Sequence, residues 1–130
     1  MSGAQGAARR CVLLVDDDED SRIIYSIVLE HAGFSVTTAR SGDEVLRLAL
    51  AEMPCVILLD IGLPVLDGFE VMRQLQATPA CAIPVIAVTG RVMTHQVHEM
   101  ATRGFADVLF KPATPKTVLS AVTAALGDGE

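Results

Sequence analysis

The chain has 130 residues, 51% of them apolar, with 16 acidic side chains against 10 basic ones and a formal net charge of −6. Five consecutive acids at positions 16–20 carry most of this charge, because the remaining residues comprise 11 acids and 10 bases. This length fits one domain with a hydrophobic core, and the apolar fraction excludes disorder over most of the chain. The scattered bases argue against a nucleic-acid-binding face. The apolar stretches are too short to span a membrane.

The three cysteines, Cys11, Cys55 and Cys81, are odd in number and have no paired spacing. Two of them lie in apolar runs, which indicates reduced, buried thiols and a cytoplasmic protein. A metal–thiolate site is the alternative, but no Cys-x-x-Cys pair supports it.

The pattern along the chain predicts one domain over residues 10–126, preceded by a flexible segment over 1–9 and followed by a tail over 127–130. Within it, short apolar runs alternate with longer amphipathic segments. Runs that are apolar on both faces are typical of strands buried in a parallel sheet. The predicted strands are Cys11–Val15, Phe34–Thr38, Val56–Leu59, Val85–Val88 and Val108–Phe110.

The amphipathic segments predict helices with recognisable ends. The first contains Ile23, Ile27, Leu29 and Glu30 and stops before Gly33, a residue suited to the left-handed conformation after a helix. The second follows Ser41, which forms a capping-box pattern with Glu44 three residues later.

The remaining helices follow the same logic. The third comes after Asp67–Gly68, with Phe69, Met72 and Leu75 repeating every three residues. The fourth covers Val92–Arg103, and the fifth begins at Pro115 with Thr114 as its N-cap. Five strand–helix units predict an α/β fold, a (βα)₅ doubly wound five-stranded parallel sheet.

Ligands of such a sheet bind beyond the carboxyl ends of its strands. Four of the five predicted strands end in a charged or hydroxyl-bearing residue, so we expect these side chains to converge at one edge. The residues that end these runs are Asp16 and Asp17, Asp60, Thr89 with Gly90, and Lys111 with Pro112.

Each of these residues also has a simpler interpretation. Asp18, Glu19 and Asp20 are best explained as the N-terminal turn of the first helix, where carboxylates meet the positive end of the dipole. Adjacent Asp16 and Asp17 repel each other unless a cation offsets their charge. Asp60 alone would suit a turn, and Lys111 alone would suit an ion pair with Asp60. Such a pair is compatible with a functional site.

Taken together, the residues indicate phosphoryl chemistry. A site of carboxylates alone suits a hard cation, and Mg²⁺ is the expected one. Asp60 on the central strand is the candidate nucleophile, since a carboxylate can form an aspartyl phosphate. Lys111 and the Thr89 hydroxyl would contact phosphoryl oxygens. His95 and His98 could imitate a metal pair, but a solvated helix face explains them better.

The same residues lie in motifs that resemble the receiver domain of bacterial response regulators, of the chemotaxis type, from about Arg10 to Leu126. The motifs are Val-Leu-Leu-Val-Asp-Asp-Asp at 12–18, Leu-Leu-Asp-Ile-Gly-Leu-Pro-Val-Leu-Asp-Gly at 58–68, Val-Thr-Gly at 88–90 and Phe-Lys-Pro at 110–112.

The resemblance implies a flavodoxin-like strand order, 2-1-3-4-5. It implies that Asp60 accepts a phosphoryl group from a histidine kinase or a histidine phosphotransfer protein. Asp16, Asp17, Asp60 and the backbone carbonyl of Gly62 would bind Mg²⁺. Thr89 and Lys111 would carry the switch to the surface, where an unidentified downstream protein binds. Neither nucleic acid nor a membrane is an expected partner, and the bond before Pro112 is often cis in the family.

The sequence departs from the family pattern at several positions. Val108 stands where an aromatic residue usually takes part in the switch, which puts that part of the switch in question. Gly90 replaces a common Ala, and Ala113 replaces a frequent Phe. Gly62 and Arg91 occupy positions that modulate phosphoryl lifetime in the family.

The main hypothesis is a single-domain response regulator that is not an enzyme beyond its own phosphorylation and dephosphorylation. A receiver domain from a hybrid histidine kinase is the alternative within the family. A phosphohydrolase with an aspartate nucleophile is an alternative from another class, but Gly62 stands where its general acid would be. A receiver-like domain that binds partners without phosphorylation is the third possibility, and the complete residue set argues against it.

Overall fold

A computed structural model describes residues 10–61, 68–90 and 94–127, with the backbone alone at 94–97. The strands are β1 (Cys11–Val15), β2 (Ser35–Ala39), β3 (Val56–Asp60), β4 (Val85–Thr89) and β5 (Asp107–Phe110). The helices are α1 (Glu19–His31), α2 (Gly42–Glu52), α3 (Gly68–Gln76), α4 (Thr94–Thr102) and α5 (Pro115–Ala125). The expectations for residues 1–9, Gly62, Arg91 and 128–130, and the start of the fourth helix at Val92, lie outside the described residues.

The strands form one parallel five-stranded sheet in the order β2-β1-β3-β4-β5, which confirms the α/β fold and the implied order. Helices α1 and α5 cover one face, where Leu29 and Val118 pack against Leu14 of β1. Helices α2, α3 and α4 supply residues to the core on the other face, where Met72 packs with Leu13. Successive side chains of β1 therefore point into two separate hydrophobic cores, one on each face, as expected for a sheet covered on both sides.

Strands β3 and β4 each extend one residue beyond the predicted end, at the carboxyl edge of the sheet. Asp60 pairs with Val88 in the ladder, and Thr89 pairs with Phe110, so both polar residues are the last members of their strands. Both residues are buried, so their polar side chains do not end the ladder. The backbone thus fixes Asp60 and Thr89 more firmly than a loop position would.

The predicted caps of α1, α2 and α5 are confirmed, whereas α4 ends at Thr102, one residue before the predicted Arg103. Asp18 accepts a hydrogen bond from the Ser21 amide as the N-cap of α1, and Ser41 accepts one from Glu44 at the start of α2. Thr114 caps α5 in the same way, and Gly33 adopts a positive φ of 102° after α1. A short 3₁₀ helix over Pro79–Ala82 was not predicted, since its four residues are too few to show a helical period.

Two expectations need correction. Ile23 and Ile27 are exposed, whereas Leu29 of the same predicted pattern is buried together with Tyr25, because the helix turns that face toward α5. The cysteines are free thiols, but Cys11 and Cys55 are only half-buried at the amino-terminal edge of the sheet.

Among the described residues, none of the helices has the length and apolar character of a membrane-spanning segment.

Candidate functional site

The acidic residues expected to converge do so at the carboxyl edge of the sheet. Asp16 and Asp17 follow β1, and Asp60 ends β3, its neighbour in the sheet. One carboxylate oxygen from each of the three lies within 4.8 Å of the others. Asp16 and Asp60 are buried, whereas Asp17 is exposed. In the described part of the chain this is the one group of three His, Cys, Asp or Glu side chains with metal-binding spacing.

Lys111 brings a cation to this cluster from the end of β5. Its Nζ lies 2.5 Å from Oδ2 of Asp60 and 3.9 Å from Oδ2 of Asp16. The Lys111 backbone N–H donates a 2.8 Å hydrogen bond to the carbonyl of Thr89, which ties the ends of β4 and β5 together. The Lys111–Pro112 peptide bond is cis, as the resemblance implied.

Burial and charge act on these groups in opposite directions. Burial raises the pKa of the Asp16 carboxyl, while a hydrogen bond from the Asp18 amide and the charge of Lys111 oppose the rise without cancelling it. For Lys111, burial acts to lower the pKa of the ammonium. The hydrogen bond to Asp60 and the charges of Asp60 and Asp16 outweigh it, so the pKa of Lys111 is raised. The carboxylates of Asp16 and Asp60 thus face the ammonium of Lys111, and Asp17 belongs to the same cluster. The remaining excess of negative charge suits a divalent cation.

Asp18, Glu19 and Asp20 occupy the first turn of α1, as expected for helix-start residues. The Asp18 carboxylate accepts hydrogen bonds from the hydroxyl and the backbone N–H of Ser21, and both lower its pKa. The acidic run therefore divides into two site residues and a helix start. His98 is exposed, and the side chain of His95 lies outside the described residues.

Two contacts at the site involve residues that the sequence analysis did not select. The guanidinium of Arg22 donates a 2.9 Å hydrogen bond to the backbone carbonyl of Asp16. The hydroxyl of Tyr25 donates a 2.8 Å hydrogen bond to the carbonyl of Ala113. Their spacing of three places both on one face of α1, which is the only local signal for them.

Comparison with known proteins identifies the family. The profile described as "Response regulator receiver domain" matches residues 12–123. Protein PilH of Pseudomonas aeruginosa is 35% identical over 116 residues, covering 88% of this chain and 96% of PilH. The transcriptional regulatory protein AfsQ1 of Streptomyces coelicolor is 34% identical over 92% of this chain, which spans 52% of that protein. The chain thus spans about half the length of several regulators it matches.

Solved structures agree with the sequence comparison. The chemotaxis response regulator CheY4 of Vibrio cholerae has a TM-score of 0.82 at 29% identity, with 91% of this chain and 99% of that chain covered. The receiver domain of a sensor histidine kinase of Pseudomonas aeruginosa PAO1, solved with magnesium coordinated in its active site cleft, has a TM-score of 0.81 at 27% identity. That match covers 92% of this chain and 99% of the other. The chain belongs to the response regulator receiver domain family, and it is a receiver domain of two-component signalling.

Proposed function

We propose that Asp60 accepts a phosphoryl group from the phosphohistidine of a histidine kinase or histidine phosphotransfer protein. The observation that carries this proposal is the convergence of three carboxylates within 4.8 Å, with the Lys111 ammonium 2.5 Å from Asp60. In the reaction, an Asp60 oxygen forms a bond to phosphorus while the bond from phosphorus to the donor imidazole nitrogen breaks. The electron pair of the broken bond stays on that nitrogen, and the product is an acyl phosphate on Asp60.

Asp16, Asp17 and Asp60 fit a Mg²⁺ site, because they offer oxygen ligands alone and carry negative charge that the Lys111 ammonium offsets only in part. The carbonyl of Gly62 is the fourth expected ligand and lies outside the described residues. When bound, Mg²⁺ would reduce the repulsion between the carboxylates and the incoming phosphoryl oxygens. The orientation of the Asp16 carboxylate is fixed by a hydrogen bond, since its Oδ1 accepts a 2.9 Å bond from the backbone N–H of Asp18.

Lys111 and Thr89 are proposed to bind the phosphoryl oxygens. The Lys111 ammonium sits on a flexible stem beside the Asp60 oxygen that would react, so it can follow the charge as that oxygen becomes esterified. Thr89 is buried at the end of β4. Strand β4 is the neighbour of β3, which ends in Asp60, and β3 separates it from β1, which Asp16 follows. Its hydroxyl would donate a hydrogen bond to a phosphoryl oxygen. Phosphorylation of Asp60 would thereby change the contacts of Thr89 at the end of β4.

The protein is proposed to act as a stand-alone regulator in the cytoplasm, catalysing only its own phosphorylation and dephosphorylation. The coverage of 96% of PilH supports this role. A receiver domain of a hybrid kinase is the alternative, supported by the match to the receiver domain of a sensor histidine kinase. A protein partner that distinguishes the two states of Asp60 would receive the signal.

The proposal is tested with acetyl phosphate and Mg²⁺, followed by intact mass. The wild type should gain one phosphoryl group and Asp60→Asn none. Asp20→Asn removes the same charge from the exposed first turn of α1 and should be phosphorylated like the wild type. The proposal is wrong when the wild type gains no mass or Asp60→Asn gains as much. Sustained turnover of small phosphate esters would instead indicate a phosphohydrolase.

A further inference from the structure

Tyr25 connects α1 to the segment that follows Lys111. Its side chain is buried, and its hydroxyl donates a 2.8 Å hydrogen bond to the backbone carbonyl of Ala113, 88 residues further along the chain. Ala113 lies two residues after Lys111 and one before Thr114, the N-cap of α5. The hydrogen bond therefore holds the loop between β5 and α5 from the side of α1.

The ring of Tyr25 also lines the inner wall of the site. With Asp16, Asp60 and Val88 it borders a small cavity of about 10 Å³, comparable with the space of one water molecule. The cavity lies on the α1 and α5 face of the sheet, where Tyr25 packs in the same core as Val88. One side chain thus contacts both the surroundings of the carboxylates and the loop that positions the ammonium.

No other aromatic ring in the described part of the chain borders this cavity. Val108 is half-buried on the opposite face of the sheet, and Phe110 is exposed. Phe105 belongs to the core on the opposite face, where its ring packs edge-on against Phe69 at 6.1 Å. Tyr25 is the only tyrosine of the chain.

The Lys111 ammonium needs such an anchor because its stem is long and its side chain is 33% exposed. On the strand side, the Lys111 backbone N–H is held by the carbonyl of Thr89. On the loop side, the Tyr25 hydroxyl holds Ala113. Loss of the second tie would let the loop, and with it the base of the Lys111 side chain, sample more positions.

We propose that Tyr25 is a positioning residue for Lys111, which fixes the β5–α5 loop through its hydroxyl and so keeps the ammonium in reach of Asp60 and of a phosphoryl group there. This inference rests on the proposed function of Asp60. The hydroxyl acts through its hydrogen bond to Ala113, which is not one of the expected Mg²⁺ ligands, so its removal should affect the rate of phosphorylation and leave Mg²⁺ affinity unchanged.

The test compares Tyr25→Phe, which removes only the hydroxyl, with the wild type. The phosphorylation rate constant at saturating acetyl phosphate and Mg²⁺ should fall by about 2- to 10-fold, as expected for one hydrogen bond. Mg²⁺ affinity by calorimetry should not change. Hydrogen exchange of a peptide over 110–115, measured without phosphodonor, should be faster in the variant.

Thr37→Val is the matched control. It removes the hydroxyl of a residue of β2 that contacts the Cys11 thiol of β1, and β2 is the edge strand farthest from the β5–α5 loop. It should change neither the rate nor the exchange of 110–115. Unchanged exchange in Tyr25→Phe overturns the inference whether or not Asp60 is phosphorylated. An unchanged rate in Tyr25→Phe, with a slow rate only in Tyr25→Leu, also overturns it, because the ring alone would then account for the effect. Failure of the wild type to gain a phosphoryl group contradicts the proposed function instead.

Discussion

The ammonium of Lys111 donates a 2.5 Å hydrogen bond to Oδ2 of Asp60, the residue proposed to accept the phosphoryl group. Asp60 ends β3 and Lys111 directly follows β5, and these strands are not neighbours, since β4 lies between them. The bond therefore spans the edge of the sheet and offsets part of the charge of the carboxylate cluster. The structural interpretation of Lys111 and the functional one thus describe the same contact.

Replacing Lys111 by Met should destabilise the protein without added Mg²⁺. The variant leaves Asp60 buried beside Asp16 and Asp17 without the ammonium, and we expect a loss of about 1–3 kcal/mol, below the value for fully buried pairs because Lys111 is partly exposed. Urea unfolding measures the loss. Adding Mg²⁺ should recover more stability in the variant than in the wild type. Equal stability of the two proteins without Mg²⁺ would show that the ion pair contributes nothing.

Asp17→Asn should weaken Mg²⁺ binding, because it removes one of the three converging carboxylates. For the wild type, Mg²⁺ at a hundred times its dissociation constant should stabilise the fold by about 2.7 kcal/mol. Asp17→Asn should lose most of this gain at the same Mg²⁺ concentration. Asp20→Asn makes the same charge change in the same acidic run and should keep it. Thermal melts with and without Mg²⁺ distinguish the variants, and an equal loss in both would indicate a diffuse effect of charge.

Much of this site could be predicted from the sequence, because each functional residue directly follows a buried apolar run. In a parallel sheet, that position alone places Asp16, Asp60 and Lys111 at one edge. The contact of Tyr25 with Ala113 could not be predicted, since it joins residues 88 positions apart and depends on how α1 packs against α5. The same packing decides that Tyr25 is buried and Ile27 exposed. Helical periodicity assigns residues to the faces of a helix. When two faces are apolar, it does not tell which of them packs against the core.

Gly68→Ala should destabilise the protein, because a Cβ at this position would lie 2.7 Å from Cβ of Ile61 and 3.2 Å from its Cα. These atoms cannot move without shifting the backbone next to Asp60, so we expect a loss of about 1–3 kcal/mol. Gly90→Ala is the matched control, since among the described residues its Cβ would meet only Cβ of Lys111, at 3.9 Å. It should be neutral or stabilise by up to about 1 kcal/mol. Denaturant unfolding of both variants checks the difference, which equal losses would contradict.

Tyr25 should titrate above its ordinary pKa of 10.0, because burial and then the negative charge of Asp16 raise the pKa of its hydroxyl. A raised pKa in the folded state means that Tyr25 supports folding below pH 10.0 and that this support is lost as pH rises through the folded value. Tyrosinate absorbance reports this residue alone, since the chain has one tyrosine. The midpoint should return to the ordinary value in denaturant.

Added Mg²⁺ should lower the native midpoint, since a cation at Asp16 offsets the charge that opposes ionisation of Tyr25. Tyr25→Phe should abolish the absorbance change and serves as the blank. A native midpoint at 10.0 would contradict the burial of the hydroxyl.

The exposed apolar face of α1, formed by Ile23, Ile24 and Ile27, should be where a protein phosphodonor docks. These side chains are 49%, 48% and 62% exposed. Ile23 and Ile27 line an open groove of about 370 Å³, together with Glu19 and Arg22 at the end of α1 nearest the site. With Asp60 as the proposed acceptor, a protein donor would bring its phosphohistidine to the carboxyl edge of the sheet, and its surface would then lie beside the neighbouring end of α1. Exposed apolar patches of this kind mark protein interfaces.

Ile27→Glu should therefore reduce phosphotransfer from a phosphohistidine protein that phosphorylates the wild type. We expect a reduction of roughly 10-fold, which corresponds to the loss of binding free energy typical of a contributing interface residue. Phosphorylation by acetyl phosphate should not change, because that donor needs no docking surface. Leu50→Glu is the matched control, since Leu50 is 44% exposed on α2, which covers the other face of the sheet. It should leave both reactions unchanged. If Ile27→Glu slows both donors equally, the substitution disturbs the site itself and the docking face lies elsewhere.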